Sequence, residues 1–284
     1  MVEANSINAS TFLMTDPTQE DERHTIFKLN KQTKRADKIT NDEFDFRSHS
    51  TVQDGTELYS ISFKNCAVHK HTNLSGGNAM VKTHIATLNK RRGFHTATLY
   101  NRQGIFIIGG NDGPRRFDSV HWLDLQTKRF SDAPSLNHAR SGHSTAIHNG
   151  VLYVVGGFDG NIWLDTIESL NVQANETSWN IFTVPGFTAR SYPLVCPLNE
   201  NELLVAGGYD GTECKNDIFE LCPTTKSADT LAAISPFGFE CYNQATSTAH
   251  GEVFALVLGS DGYEHFIHFS SRTRKLSSVK SFTE

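Results

Sequence analysis

The chain has 284 residues, 38% of them apolar and 20% charged, with a formal net charge of −5 at neutral pH. That composition carries enough apolar material for a large core and excludes a disordered chain. A mildly acidic chain with no dominant basic cluster argues against a nucleic-acid partner, and no run of about 18 apolar residues marks a membrane span. The N-terminal stretch MVEANSINAS has neither the basic start nor the apolar core of a secretory signal. The five cysteines are Cys66, Cys196, Cys214, Cys222 and Cys241. They are odd in number, lack C-x-x-C spacing, and are expected as reduced thiols of a cytoplasmic protein.

The predicted elements are all strands. Residues 2–7 are a candidate first strand, and TFLMTD from Thr11, TIFKLN from Thr25 and RADKIT from Arg35 read as the three that follow. From His49, HSTVQDGTELYSISF reads as a hairpin turning at Asp54-Gly55. FHTATLYNRQGIFIIGGNDG from Phe94 and GHSTAIHNGVLYVVGGFDG from Gly142 are two copies of one unit. In the second copy, strands are expected at 145–148, 151–155, 166–171 and 178–182. Asn149-Gly150 supplies the positive φ of a two-residue hairpin turn. The run 151–155 is continuously apolar, as suits a strand buried on both faces. Gly156-Gly157 then allows a close backbone turn that a Cβ would block. SYPLVCPLNENELLVAGGYDG from Ser191 is a third copy and YNQATSTAHGEVFALVLGSDG from Tyr242 a fainter fourth. HFIHFSS from His265 and KLSSVKS from Lys275 complete the last unit.

The glycines that end the apolar runs, Gly109, Gly156, Gly207 and Gly259, lie 47, 51 and 52 residues apart. The chain divides into six units at roughly 1–40, 44–88, 92–135, 140–185, 190–235 and 239–284. Four-stranded units at such a period are expected to stand radially around an axis, which leaves only short, protected sheet edges.

Residues 139–179, ARSGHSTAIHNGVLYVVGGFDGNIWLDTIESLNVQANETSW, resemble a kelch repeat. They are closely similar to those of the kelch-like substrate adaptors of cullin ubiquitin ligases. The resemblance rests on Arg140-Ser141-Gly142, the Gly156-Gly157 pair, Asp159-Gly160 and Trp179, and covers residues 91–221 most closely. Leu123, Leu170 and Leu221 stand where those repeats carry tyrosine, and Phe130 replaces one tryptophan. The resemblance implies an all-β, six-bladed kelch-type propeller with four antiparallel strands per blade. It also implies a module that binds another protein, by a peptide or an acidic loop, at the mouth of the central channel. By motif position it places Arg92, Arg140 and Arg190 at that mouth, with Asn111, Arg115, Arg116, Phe158, Asn161, Trp163 and Tyr209 on the surrounding loops. Converging guanidiniums would suit carboxylates, and the aromatics would serve as anchors. Asp112, Asp159 and Asp210 read instead as Asp-Gly turn residues. The likeness does not extend to BTB and BACK segments, so a cullin ligase or a cytoskeletal assembly would be reached through other subunits.

The alternatives are a small-molecule enzyme built on the same ring, such as a sugar epimerase, and an actin scaffold. The nearest approach to an E-x-x-x-D-x-x-x-H iron motif is Glu213 and Asp217, followed by Leu221 rather than histidine. His69 and His71 form a lone H-x-H with no third ligand at a telling spacing. His95 and His143 recur at matching positions, as packing residues do. No catalytic residue, metal or cofactor is therefore assigned.

Overall fold

The computed structural model describes residues 9–15, 24–30, 35–42, 49–54, 57–62, 65–73, 80–231, 237–241, 246–247, 251–262 and 264–280. Among them every regular element is a β-strand. The first sheet has three strands, β1 (Ala9–Thr15), β2 (His24–Asn30) and β3 (Arg35–Asp42). The second is β4 (His49–Asp54), β5 (Glu57–Ser62), β6 (Ala67–Asn73) and β7 (Met80–Thr87). The third is β8 (Thr96–Tyr100), β9 (Gly104–Ile108), β10 (Val120–Asp124) and β11 (Arg129–Ala133). The fourth is β12 (Ser144–His148), β13 (Val151–Val155), β14 (Ile167–Asn171) and β15 (Asn180–Phe182). The fifth is β16 (Leu194–Pro197), β17 (Leu203–Ala206), β18 (Ile218–Cys222) and β19 (Ser227–Thr230).

In the last sheet the first strand is split. β20 (Phe239–Glu240) and β21 (Thr246–Ser247) pair with opposite ends of β22 (Glu252–Gly259), and β23 (Glu264–Ser270) and β24 (Lys275–Lys280) follow. Every pairing is antiparallel, and all but β20 with β22 join strands consecutive in the chain, as in a propeller blade. Against the expectation of six four-stranded blades, five of the six sheets among the described residues have four or more strands and the first has three. The candidate strand at 2–7, like Gly55 in the first predicted hairpin, lies outside the described residues.

The second strand of each sheet decides how the sheets stack. Successive side chains of a strand point to opposite faces. Ile105 and Ile107 accordingly join the second sheet's Val52, Tyr59 and Ile61, whereas Phe106 and Ile108 join Leu152, Val154 and Trp179 of the fourth. Tyr153 and Val155 pack on Val195, Val205 and Phe219 of the fifth sheet. Leu204 and Ala206 meet Val253, Ala255 and Ile267 of the last. Both faces of these strands are thus buried, which explains apolar runs without alternation. Each fully buried Ile or Val contributes about 1.5–3 kcal/mol by leaving water. At the inner edge, Ser50 Oγ donates to His95 O at 2.9 Å and Ser144 Oγ to Pro193 O at 2.5 Å. Between these lie Thr96 Oγ1 with His143 Nε2 at 2.9 Å and Thr98 Oγ1 with Thr145 Oγ1 at 2.7 Å. Trp179 is buried, and its Nε1 donates to Pro134 O, which follows the preceding sheet.

Candidate functional site

The three arginines that open the repeats do not face a channel mouth. Arg92, Arg140 and Arg190 are 1%, 0% and 0% exposed, so the expectation that they meet a partner is corrected. The reason lies in the glycine pairs. The ladder between the second and third strands ends there, and carbonyls are left that need donors. Arg140 donates to Gly156 O at 2.8 Å, Thr166 O at 3.2 Å and Glu168 Oε1 at 2.6 Å. Arg190 repeats this with Gly207 O at 2.9 Å and with both Asp217 oxygens, at 2.5 and 3.0 Å. Arg92 reaches Gly109 O at 3.0 Å and Ser119 O at 3.2 Å. The backbone of the same residue ties in the preceding sheet: Gly110 N donates to Arg140 O and Gly157 N to Arg190 O, each at 2.8 Å. Burial lowers the pKa of Arg140, opposed by the adjacent Glu168. Glu168, itself fully buried, also accepts from Asn137 N, Asn137 Nδ2 and His138 N.

Immediately beyond these arginines the backbone forms a short extension above three consecutive sheets. Gly93 bridges Asn111, which bridges Arg116; Ser141 bridges Phe158, which bridges Trp163; Ser191 bridges Tyr209, which bridges Cys214. The loops between second and third strands are thereby brought to one end of the molecule, and their side chains interlock from sheet to sheet. The Arg116 guanidinium lies 5.0 Å over the Phe158 ring. Phe158 and Trp163 are 4.8 Å apart, and Trp163 and Tyr209 6.1 Å, edge to face. A glycine makes room for Trp163 against the Tyr209 loop. Gly211, at φ +100, would place a Cβ 2.6 Å from Trp163 Cη2. All four side chains are half-buried, so each keeps a face in solvent.

The remaining predicted loop residues separate from that ladder. Asn111 is half-buried beside it, Asn161 is exposed at its turn, and Arg115 turns toward Phe117, 5.6 Å from the ring. Asp159 Oδ1 accepts from Asn161 N and Ile162 N, and Asp210 Oδ1 from Thr212 N and Glu213 N. These carboxylates therefore build the turns, as the sequence suggests.

Residues 49–260 match the KLHDC2/KLHL20/DRC7 Kelch-repeats domain. The chain belongs to this kelch-repeat family. It is 30% identical to acyl-CoA-binding domain-containing protein 5 of Arabidopsis thaliana over 172 residues, which cover 55% of this chain and 26% of that protein. Kelch repeat protein C2 of camelpox virus is 30% identical over 121 residues, 42% of this chain and 22% of its own. An F-box/kelch-repeat protein of Arabidopsis thaliana is 31% identical over 119 residues, 41% of this chain and 30% of its own. The kelch chain thus spans less than a third of the length of these relatives.

Two rim residues of this kelch propeller escaped the sequence reading. Phe94, Gly142 and Tyr192 hold one register position, two residues after each arginine, with φ of +50, +62 and +53. They are joined in succession: Gly142 N donates to Phe94 O at 3.0 Å, Tyr192 N to Gly142 O at 2.7 Å, and Cys241 N to Tyr192 O at 2.8 Å. Phe94 is 42% exposed and meets Tyr192 edge to face at 6.2 Å. Burial and nearby Glu240 push the Tyr192 hydroxyl up. The available signal was an aromatic where the neighbouring repeat has glycine.

His69 and His71, the lone H-x-H pair, contact neighbouring residues. His71 Nε2 pairs with Ser60 Oγ at 3.0 Å, while His69 lies edge-on to His84 at 5.6 Å. Among the described residues no group of three His, Cys, Asp or Glu side chains could hold a metal ion. Burial and adjacent Arg140 hold His143 well below the usual imidazole pKa.

Proposed function

We propose that this kelch propeller recognises a loop or peptide of another protein at the rim formed by Phe94, Arg116, Phe158, Trp163, Tyr192 and Tyr209. The ladder from Arg116 to Tyr209 carries this reading. Its members come from three sheets, hold one another by ring contacts of 6.1 Å or less, and remain partly open to solvent. Aromatic and arginine side chains dominate protein interfaces energetically. A ladder already locked by its neighbours loses little conformational entropy on binding. The deeper carboxylates Glu168 and Asp217 are bonded to arginines, which supports binding rather than catalysis. The recognised protein would be a substrate delivered for ubiquitination through other subunits, consistent with the F-box/kelch architecture of one relative.

The test is capture of interacting proteins from lysate by parent protein, by Trp163→Ala and by Phe94→Ser, read by quantitative mass spectrometry. Specific proteins lost from both variants, with thermal unfolding retained, support the rim. An identical set captured by all three proteins rejects it.

A further inference from the structure

The buried arginine of the third sheet lacks what its counterparts have. Arg140 meets Glu168 and Arg190 meets Asp217, at 2.6 and 2.5 Å. Arg92 hydrogen-bonds only uncharged groups: Gly109 O, Ser119 O, Ser119 Oγ and His121 Nε2, the last at 2.8 Å. Its buried Nε has no partner among the described residues. His121 stands opposite Ile107 on β9 just as Glu168 stands opposite Val154 on β13, so an imidazole occupies the carboxylate's register position. A ring that accepts from a guanidinium through Nε2 is neutral and donates through Nδ1. Its acceptor is Asp132 at 2.9 Å, whose side chain is 91% exposed. The Arg92 charge is therefore left without a buried counter-ion.

Two more cations gather at the same place. Lys90 Nζ, Arg92 Cζ and Arg115 Cζ lie 4.7, 5.1 and 5.6 Å from the centroid of one ring, Phe117. Lys90 and Arg115 are exposed. Among the described residues none of the three makes an ion pair with a carboxylate. Asp112 and Asp118, nearby in sequence, are exposed and do not pair with them.

We propose that Lys90 and Arg115, supported by the buried charge of Arg92 against the same Phe117 ring, form a subsite for a phosphate-monoester or free phosphate dianion. A lysine point charge beside an arginine fork matches phosphate oxygens. A dianion offsets the threefold positive cluster better than one carboxylate does. A fixed charge in a low-dielectric interior is screened less by salt than a surface charge, so Arg92 contributes attraction without touching the ligand.

The test uses the whole chain in phosphate-free buffer. Binding of a fluorescein-labelled Gly-Gly-phosphoserine-Gly-Gly peptide is compared with its serine counterpart by anisotropy, with inorganic phosphate as competitor. The phosphopeptide should bind at least about tenfold more tightly, and Lys90→Gln and Arg115→Gln should each weaken it about tenfold, as loss of one charge-assisted hydrogen bond implies. Lys226→Gln, on the fifth sheet, should leave it unchanged. His121→Glu gives Arg92 the carboxylate its counterparts have, and should weaken binding with both ligand donors still in place. Competition by inorganic phosphate without preference for the phosphopeptide identifies the free ion as the ligand and keeps the subsite. Equal binding of the two peptides with no phosphate competition overturns it. So does unchanged affinity in a Lys90→Gln/Arg115→Gln protein that unfolds at the parent temperature. Because free phosphate alone can occupy the subsite, its failure would leave the rim reading intact.

Discussion

The Arg140 guanidinium and the Glu168 carboxylate lie 2.6 Å apart with neither side chain exposed to solvent. Removing one member leaves the other charged and buried, which typically costs about 3–5 kcal/mol. Arg140→Ala is therefore expected to lower the denaturation midpoint strongly in urea. Arg140→Lys should recover only part of that loss, because an ammonium cannot reproduce the fork that spans Gly156 O, Thr166 O and Glu168. A midpoint near the parent value for Arg140→Ala would mean the guanidinium is not structural.

Phe94 separates stability from recognition. Its φ of +50 is a left-handed conformation, which costs a residue with a Cβ about 1–2 kcal/mol relative to glycine. Phe94→Gly should consequently be more stable than Phe94→Ala by about 1 kcal/mol, the reverse of the usual order in a strand. Both lose the ring, so both should lose partner capture equally. Calorimetry and the lysate capture described above check the two halves.

At Gly211 two penalties coincide. A Cβ would lie 2.6 Å from Trp163 Cη2, and φ is +100. Gly113 has nearly the same φ, +99, with nothing within 4 Å. Gly113→Ala should thus cost only backbone strain, of order 1–3 kcal/mol. Gly211→Ala should cost more and also displace Trp163. The difference in unfolding free energy, read together with the tryptophan emission spectrum, isolates the clash.

Acid should weaken the fold as pH falls below about 6.5. His121, His143 and His148 all have pKa values lowered from 6.5 by burial; Arg92 and Lys90 act further on His121, partly opposed by Asp132, and Arg140 acts on His143. A group with a depressed native pKa binds fewer protons folded than unfolded, so stability rises with pH across that window. The contribution is complete above about pH 6.5 and is lost as pH falls from there toward the native values. Urea midpoints measured from pH 8 to 5 should decline, and His121→Gln should flatten part of the slope. An equal slope in that variant would remove His121 from the account.

Much of the architecture was legible because one feature repeats. An apolar run closed by paired glycines, as at 151–157, suits a strand covered on both faces. The stacking of Phe106 and Ile107 on opposite neighbours follows from that. The destination of the arginines was not legible. A strand-opening arginine looks alike whether it turns toward solvent or toward the carbonyls exposed at a glycine pair. For Arg140 and Arg190 the distinguishing sign was a carboxylate in the third strand or just before it, Glu168 or Asp217. The ladder residues Arg116, Phe158, Trp163 and Tyr209 were named correctly as loop residues, but their mutual stacking depends on loop curvature set by glycines at positive φ. Phe94 and Tyr192 were missed because an aromatic just ahead of a strand reads as ordinary core.

The alternation along the second strands gives each interface between sheets a separate address. In β9, odd-numbered Ile105 and Ile107 hold one seam and even-numbered Phe106 and Ile108 the other. Trimming Ile107 would therefore loosen the joint with the preceding sheet, and trimming Phe106 the joint with the following one. Neighbouring codons thus act as independent dials on adjoining wedges of the ring.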